Sequence, residues 1–205
     1  MIKGRPLGVL PFFARRSQEH RETVKIYFSQ CASREENVML RRFYPDEYVD
    51  STYQIDFEKY YNAGYRGVIF DIDNTLVPHD APADDRAVAL FEYLKEIGFS
   101  STLLSNNKEP RVKMFFDGVC ANYYIYKADK PSRKNYRKAM DLMGCDKSNT
   151  LFVGDQIFTD VYGAKRTGIH GILVKPIHPK EEIQIVLKRY LEKIVLYFYK
   201  RSLEK

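Results

Sequence analysis

The stretch Val68-Ile69-Phe70-Asp71-Ile72-Asp73-Asn74-Thr75-Leu76 joins a run of apolar residues to two carboxylates. The apolar run predicts a strand that is buried on both faces, as in a parallel sheet. The chain then delivers Asp71 and Asp73 at the point where it leaves the sheet. At about 4 Å and an effective dielectric near 20, two such acids repel each other by on the order of 4 kcal/mol, so a cation or a shared proton should accompany them. A divalent metal is the simplest partner.

A calcium-binding loop is the main alternative for this acidic pair. An EF-hand loop requires glycine after the position of Thr75 and a glutamate at the loop end. Here Leu76 follows Thr75, and no glutamate stands at the loop end. The sequence therefore favours a different kind of metal site.

From Tyr44 onward, five short apolar or β-rich runs alternate with segments long enough for helices. This alternation predicts an α/β, Rossmann-like three-layer sandwich with a five-stranded, mainly parallel sheet. Asp84 and Ser132 are placed to cap the helices that follow them. The predicted strands are Gly67–Phe70, Ser101–Leu104, Tyr123–Tyr126, Thr150–Val153 and Gly171–Val174, and the predicted helices are Asp84–Ile97, Lys108–Phe116, Ser132–Met143 and Thr159–Thr167.

A third carboxylate follows the fourth predicted strand. Asp155 would lie at the same sheet edge as Asp71 and Asp73 if the first and fourth strands are neighbours, because parallel strands place their carboxyl ends together. Magnesium prefers oxygen ligands in an octahedron and leaves places for a phosphate oxygen. Asp160 follows nearby, where a helix cap or a surface charge is an equally ordinary explanation.

Groups that can hold an anion follow the second and third predicted strands. Ser105 and Asn106 offer a hydroxyl and backbone N–H groups close to a helix start, a common place for a phosphate. Lys130 precedes Pro131, which suits the first turn of a helix and would aim the lysine into the cleft. Each of these signals alone is commonplace.

The order of these motifs along the chain carries more information than any one of them. D-x-D-N-T at 71–75, S-N-N at 105–107, K-P at 130–131 and G-D-x-x-x-T-D at 154–160 fall at successive strand ends. This order resembles the haloacid dehalogenase (HAD) superfamily of phosphotransferases. Phe43–Val49 and Asp71–Pro78 are similar to subfamily IIIA phosphatases of the YqeG type, which are related to phosphatidylglycerophosphate phosphatases. The resemblance covers roughly Phe43 to Ile185 and implies a HAD-like fold.

The resemblance implies a reaction as well as a fold. Asp71 matches the nucleophile, which forms an aspartyl-phosphate, and Asp73 matches the general acid and base. Superfamily members that cleave carbon–halogen bonds lack this second acid, so Asp73 implies phosphoryl transfer. The implied phosphate-binding residues are Ser105, Asn106 and Lys130, and the implied Mg²⁺ ligands are Asp71, Asp73 through its backbone carbonyl, and Asp155, with Asp160 supporting Asp155 or orienting Lys130.

The spacing between motifs limits the substrate. Only 31 residues separate Asp73 from Ser105 and 24 separate Ser105 from Lys130, enough for loops, a helix and a strand in each case. We therefore predict no large cap domain. An uncapped cleft is open to a phosphate carried by a large molecule, such as a lipid headgroup, a nucleic-acid end or a phosphoprotein.

Charge is concentrated at the two ends of the chain. Residues 1–42 carry nine Lys/Arg and four Asp/Glu, net +5, and residues 175–205 carry eight and four, net +4, although the whole chain is only +6. We predict a basic N-terminal extension at 1–42, a HAD-like domain at 43–178 and a C-terminal amphipathic helix at 179–205. That helix either docks on the domain or faces a membrane, and the basic ends favour an anionic partner or serve only solubility.

Composition points to a cytoplasmic protein. The longest uncharged run, Ile97–Asn107, has eleven residues, fewer than the roughly 18 that span a bilayer. The three cysteines form no C-x-x-C motif, which fits a reducing compartment. We expect a cytoplasmic location, with peripheral binding to the inner membrane face as the membrane alternative.

Three functions are compatible with these observations. The first is a magnesium-dependent phosphatase that converts phosphatidylglycerophosphate to phosphatidylglycerol at a membrane surface. The second is a HAD phosphatase for a soluble nucleotide, a sugar phosphate or a nucleic-acid end. The third is a non-catalytic module that binds RNA or a protein partner, which the complete acid, serine and lysine set disfavours. The sequence leaves the oligomeric state open, as well as the role of His79, either in substrate contact or as a loop residue.

Overall fold

The computed structural model describes residues 39–178 and 183–204. The chain divides into two units, Met1–Arg41 and Arg42–Lys205. Most of the predicted basic extension, residues 1–38, lies outside the described residues. The strands are β1 (Glu47–Val49), β2 (Gly67–Phe70), β3 (Ser100–Leu104), β4 (Tyr123–Ile125), β5 (Thr150–Gly154) and β6 (His170–Val174), and the α-helices are α1 (Phe57–Asn62), α2 (Asp85–Glu96), α3 (Glu109–Gly118), α4 (Arg133–Met143), α5 (Tyr162–Thr167) and α6 (Ile183–Leu203). Short 3₁₀ turns lie at Arg41–Phe43 and Thr52–Gln54, and a π turn lies at Ile157–Val161.

The six strands form one sheet in the order β1-β6-β5-β2-β3-β4, and every pairing is parallel. The predicted fold class is confirmed, but the sheet has six strands where five were predicted. The additional strand, β1, has three half-buried residues and lies at the sheet edge. It was missed because a short, half-buried edge strand lacks the continuous apolar run that marks the central strands.

Alternate residues of the buried strand β2 contact different layers of the protein. Phe70 packs beside Phe91 of α2, with ring centroids 5.4 Å apart. Ile69 belongs to the core on the other face, where Tyr136 of α4 lies over Phe152 at 5.1 Å. Side chains of a strand alternate between its two faces, so this arrangement requires helices on both sides of the sheet. The three-layer architecture follows.

Most of the helix starts predicted from the sequence agree with the structure to within one residue. Asp84 caps α2 as predicted, since its Oδ1 accepts a hydrogen bond from the Ala87 N–H at 2.9 Å. Ser132 is the N-cap residue of α4, as predicted, but its side chain makes no capping hydrogen bond. The helix predicted at Thr159–Thr167 is divided between the π turn and α5.

The strand order puts the loops after β2 and β5 side by side. Phe70 of β2 lies opposite Leu103 of β3 on one side and Val153 of β5 on the other. The condition for Asp155 to share a sheet edge with Asp71, that the strands preceding them are neighbours, is therefore met. In a parallel sheet, this point of divergence in strand order is where ligands bind.

Helix α6 presents two different faces over its described side chains. Glu192, Val195 and Tyr199 are buried, and the Tyr199 ring lies 5.6 Å from that of Tyr44. Tyr190, Ile194 and Tyr197 recur at steps of four and three residues and are 45–68% exposed. One face of the helix thus packs on the protein and leaves an apolar stripe outside. Among the helices of the described residues, none combines the length and apolar character needed to cross a bilayer.

Candidate active site

Asp71 is a buried carboxylate at the centre of the site. Its backbone N–H continues the sheet by donating to the carbonyl of Val153 at 2.9 Å. Its Oδ1 lies 2.5 Å from Nζ of Lys130, and its Oδ2 accepts from the Thr75 hydroxyl at 3.3 Å. The two oxygens of Asp71 therefore face different partners.

Lys130 is held between two carboxylates. Its Nζ lies 2.5 Å from Oδ1 of Asp71 and 2.7 Å from Oδ1 of Asp160. Burial alone would lower the pKa of this lysine, but the charges of Asp160 and Asp71 outweigh it and raise the pKa. The amide of Asn106 fixes the lysine backbone, accepting from the Lys130 N–H at 2.7 Å and donating to its carbonyl at 3.3 Å. The loop after β3 thus places the lysine after β4.

Asp71, Asp155 and Asp160 bring oxygens within 4.8 Å of one another, and all three residues are buried. Burial raises the pKa of Asp71 to about 6, against the opposing effect of Lys130. Burial likewise raises the pKa of Asp155 well above its usual value, opposed by Arg189. Three carboxylates face two cationic side chains, which leaves excess negative charge in a low-dielectric site. Hard carboxylate oxygens with uncompensated charge are a donor set that fits a divalent ion such as Mg²⁺.

The carboxylate of Asp73 belongs to a different group, with His79 and Asp80. Its Oδ1 accepts from Nη2 of Arg111 and from the backbone N–H of Asp80, both at 2.8 Å, and its Oδ2 accepts from Nδ2 of Asn107 at 2.6 Å. These three donors fix the Asp73 carboxylate in one orientation at the rim of the site. Of the predicted Mg²⁺ ligands, Asp71 and Asp155 are brought together by their side chains and Asp73 is not.

A cavity of about 200 Å³ opens over these groups. Ser105 lines it and is almost fully buried, and its Oγ accepts from the Asn107 N–H at 3.2 Å. Asn106 also lines it, but both ends of its amide are bonded to the Lys130 backbone. His79 lines the mouth with its side chain 42% exposed and Nδ1 3.8 Å from Oδ1 of Asp73. The loop after β2 therefore places His79 against the cleft.

Several residues of the site were not singled out from the sequence. Thr75 belongs to the D-x-D-N-T motif, but the motif does not reveal that its hydroxyl contacts both Asp71 and Asp155. Arg111 lies four residues after Asn107, so both reach Asp73 from the start of α3, a spacing that could have been noticed. Arg189 contributes only to the net positive charge of residues 175–205, and no local pattern in the sequence links it to Asp155.

A second cavity, of about 640 Å³, lies around the start of α4 and is lined by Asp129 and Pro131, the residues on either side of Lys130. We call it the basic cavity because Arg133, Lys134, Arg137 and Arg166 line it. Arg166 donates to the Pro131 carbonyl at 3.4 Å. Within the described part of the chain, Arg133, Lys134 and Arg137 form no ion pair. Four cations against the single carboxylate of Asp129 leave the cavity with a net positive charge that attracts anions.

The described segment between the first and third motifs contains no inserted cap domain. Residues 71–130 are all described, and besides loops they contain only α2, β3, α3 and β4. The predicted absence of a large cap in this part of the chain is thereby confirmed.

Comparisons with known proteins agree with this geometry. A family model described as "HAD-hyrolase-like" matches residues 128–182. The chain is 39% identical over 166 residues to the "Probable phosphatase YqeG" of Bacillus subtilis, covering 80% of this chain and 96% of that protein. It is 28% identical over 161 residues to "Phosphatidylglycerophosphate phosphatase 1, chloroplastic/mitochondrial" of Arabidopsis thaliana, covering 74% of this chain but 45% of that longer protein.

Solved structures with a similar fold include a HAD-superfamily hydrolase from Ehrlichia chaffeensis, at 16% identity and a TM-score of 0.46, covering 63% of this chain and 97% of that one. With the YqeG relative matched over nearly its whole length, the family is established. The chain belongs to the YqeG-type phosphatases of the HAD superfamily.

Proposed function

We propose that the protein is a magnesium-dependent phosphomonoester hydrolase of subfamily IIIA that converts phosphatidylglycerophosphate to phosphatidylglycerol through an aspartyl-phosphate. The observation that carries the chemistry is the position of Asp71, a buried carboxylate that lines the cleft, pairs with Lys130 and lies close to the acids Asp155 and Asp160. A carboxylate can attack a phosphate dianion only where charge repulsion is offset; Lys130 contributes to that offset, and a divalent ion held by the acids would complete it.

In the first step, a carboxylate oxygen of Asp71 attacks phosphorus and the bond to the ester oxygen breaks. Asp73 gives a proton to the leaving oxygen, so the alcohol departs neutral. Asp73 then takes a proton from the water that attacks the aspartyl-phosphate, and inorganic phosphate leaves as the Asp71 carboxylate is restored. Arg111 and Asn107 fix Asp73 for both proton transfers.

The remaining residues hold charge and geometry. Lys130 and Ser105 would bind equatorial oxygens of the phosphoryl group. Asn106 would bind phosphate through its backbone N–H, because its side-chain amide is hydrogen-bonded to the backbone of Lys130. Asp71, Asp155 and the backbone carbonyl of Asp73 would hold Mg²⁺, with Asp160 holding Lys130. The bound ion supplies positive charge against the transferring phosphoryl group.

Three features support a lipid headgroup as substrate. No cap domain is inserted within residues 71–130, which suits a phosphate carried on a large assembly. The basic cavity around the start of α4 carries Arg133, Lys134 and Arg137, which suit the neighbouring anionic groups of a membrane surface. The Arabidopsis relative is named for the same substrate.

Helix α6 supports a location at the membrane surface. Its outer stripe of Tyr190, Ile194 and Tyr197 is accompanied by the exposed Lys193 and Arg201. Interfacial tyrosines with flanking cations are typical of helices that lie in the plane of a membrane surface. Peripheral binding to the inner face of a membrane is part of the proposal.

Phosphate release from vesicles tests the substrate. We expect Mg²⁺-dependent turnover of phosphatidylglycerophosphate in anionic vesicles by the wild type and none by Asp71→Asn. Soluble nucleotide and sugar phosphates and 5′-phosphorylated oligonucleotides serve as competitors. Faster hydrolysis of any soluble ester would assign the enzyme to that substrate instead. No turnover of any ester, together with salt-sensitive RNA binding, would favour a binding module.

A further inference from the structure

The last helix reaches the carboxylate that the proposed function assigns to magnesium. Arg189 of α6 donates through Nη2 to Oδ2 of Asp155 and through Nη1 to the backbone carbonyl of the same residue at 2.5 Å. The Asp155 side chain is fully buried, and that of Arg189 is 16% exposed. A two-point contact by one guanidinium fixes both the side chain and the backbone of its partner.

A second residue of α6 strengthens this contact. Glu192 accepts from Nη1 of Arg189 at 2.9 Å through Oε2, and from the backbone N–H of Ile157 at 2.6 Å through Oε1. Glu192 is 5% exposed. The segment from Asp155 to Ile157, which carries the chain from β5 into the π turn, is therefore held at both ends by residues three apart on one helix.

The two oxygens of Asp155 are used differently. Oδ1 accepts from the Thr75 hydroxyl at 3.3 Å, and that same hydroxyl lies 3.3 Å from Oδ2 of Asp71. Oδ1 thus faces the other acid of the site, and Oδ2 faces Arg189. The guanidinium engages Oδ2 and leaves Oδ1, the oxygen that shares the Thr75 hydroxyl with Asp71.

We propose that Arg189 is a positioning residue that orients Asp155 for metal binding, and that Glu192 holds Arg189 in place. Helix α6 then contributes to the metal site. The inference rests on the proposed use of Mg²⁺ by this site, but it does not depend on which phosphate ester is hydrolysed. Partners of this kind fix the direction of a metal-binding carboxylate, and their loss weakens metal affinity or activity by about 10- to 100-fold. Because coupling is reciprocal, Mg²⁺ binding also stabilises the packing of α6.

Mg²⁺ affinity of the full chain tests this role without any substrate. Arg189→Met removes the guanidinium and keeps a long apolar side chain, Arg189→Lys keeps the charge without the two-point contact, and Lys193→Met changes an exposed cation on the same helix. Isothermal titration calorimetry should give a dissociation constant about 10- to 100-fold higher for Arg189→Met and a smaller increase for Arg189→Lys. Lys193→Met should bind Mg²⁺ like the wild type.

Hydrogen exchange gives an independent readout. In the wild type, added Mg²⁺ should slow amide exchange in residues 189–203, and in Arg189→Met this protection should be lost, whereas Lys193→Met should keep it. Glu192→Gln is measured alongside, because it keeps the side-chain volume and should weaken Mg²⁺ binding even if Arg189→Met unfolds.

Two results would overturn the proposal. Unchanged affinity in both Arg189→Met and Glu192→Gln would show that α6 only packs there. Tighter binding in Arg189→Met would show that the guanidinium competes with the ion instead of orienting its ligand. A third result separates the two proposals: the wild type and the variants bind Mg²⁺ as expected, but the protein has no lipid phosphatase activity. That result would reject the proposed substrate and would leave the role of Arg189 unaffected.

Discussion

A methyl group added at Gly154 should disrupt the site from within. Gly154 is the last residue of β5, and a Cβ placed there would lie 2.6–2.7 Å from three side-chain atoms of Asp160. Since ordinary contacts begin near 3.4 Å, the Asp160 side chain would have to move by roughly 0.7 Å. It has little freedom to do so, because it is 1% exposed and bonded to Lys130 at 2.7 Å and to the Gln156 N–H at 3.0 Å.

The cost of Gly154→Ala can be estimated from these contacts. Overpacking a rigid site costs about 1–3 kcal/mol, and weakening a hydrogen bond to a charged group costs about 1.5–3 kcal/mol. We expect the free energy of unfolding to fall by about 3 kcal/mol. For a chain of this size that corresponds to a loss of roughly 6–12 °C in Tm.

Thermal unfolding in the presence of EDTA measures this effect without metal binding. Gly171→Ala in β6 is the matched control, because the nearest atom to its added Cβ is a side-chain carbon of Ala164 at an ordinary 3.4 Å. That variant should stay within about 3 °C of the wild type. If Gly154→Ala melts no lower than Gly171→Ala, Asp160 does not lie against β5 as described, and the reasoning about Lys130 that depends on it is refuted.

Three further substitutions test separate parts of the site. Lys130→Met should lower kcat by about 10²- to 10³-fold in a phosphate-release assay, because Asp71 would attack without a cation beside it; a loss below tenfold would contradict this role. Arg111→Met removes one of the two donors to Oδ1 of Asp73 and leaves the Asp80 N–H in place; it should reduce kcat by roughly 10- to 100-fold with little change in KM, whereas a change in KM alone would point to substrate binding. Tyr136→Phe removes a 2.9 Å hydrogen bond to a backbone carbonyl of the π turn and should cost about 1 kcal/mol in urea unfolding at unchanged kcat; equal stability would mean that water replaces the hydroxyl.

The features predicted correctly from the sequence depend on regular geometry. Alternating apolar strands and helices imply a parallel sheet, and a parallel sheet collects its carboxyl ends at one edge, which is why Asp71, Asp155 and Lys130 could be expected near each other. The D-x-D spacing also carried real information, although the two side chains go to different partners: Asp71 faces Lys130, and Asp73 faces Arg111.

The features that were missed depend on side-chain conformation or distant packing. Ser132 occupies the predicted N-cap position, but its capping hydrogen bond is absent because that bond requires one rotamer, which a residue type alone does not determine. The contact between Arg189 and Asp155 joins residues 34 positions apart, and helix periodicity describes only the apolar face of a helix, not which cation turns inward. The same limit applies to Glu192, whose burial has no signature in the sequence.

The pairing of β1 with β6 sets the order in which this chain can fold. Glu47 of β1 pairs with Ile172 of β6. During synthesis, β1 therefore cannot pair until more than 120 further residues have been translated and have left the ribosome. By contrast, β2 and β3 are separated by one helix and can pair early. Closing a long loop is slow because the chain loses conformational entropy before the stabilising contacts between its ends have formed. We expect β1 to join last, and refolding intermediates to expose the open edge of β6 to other chains.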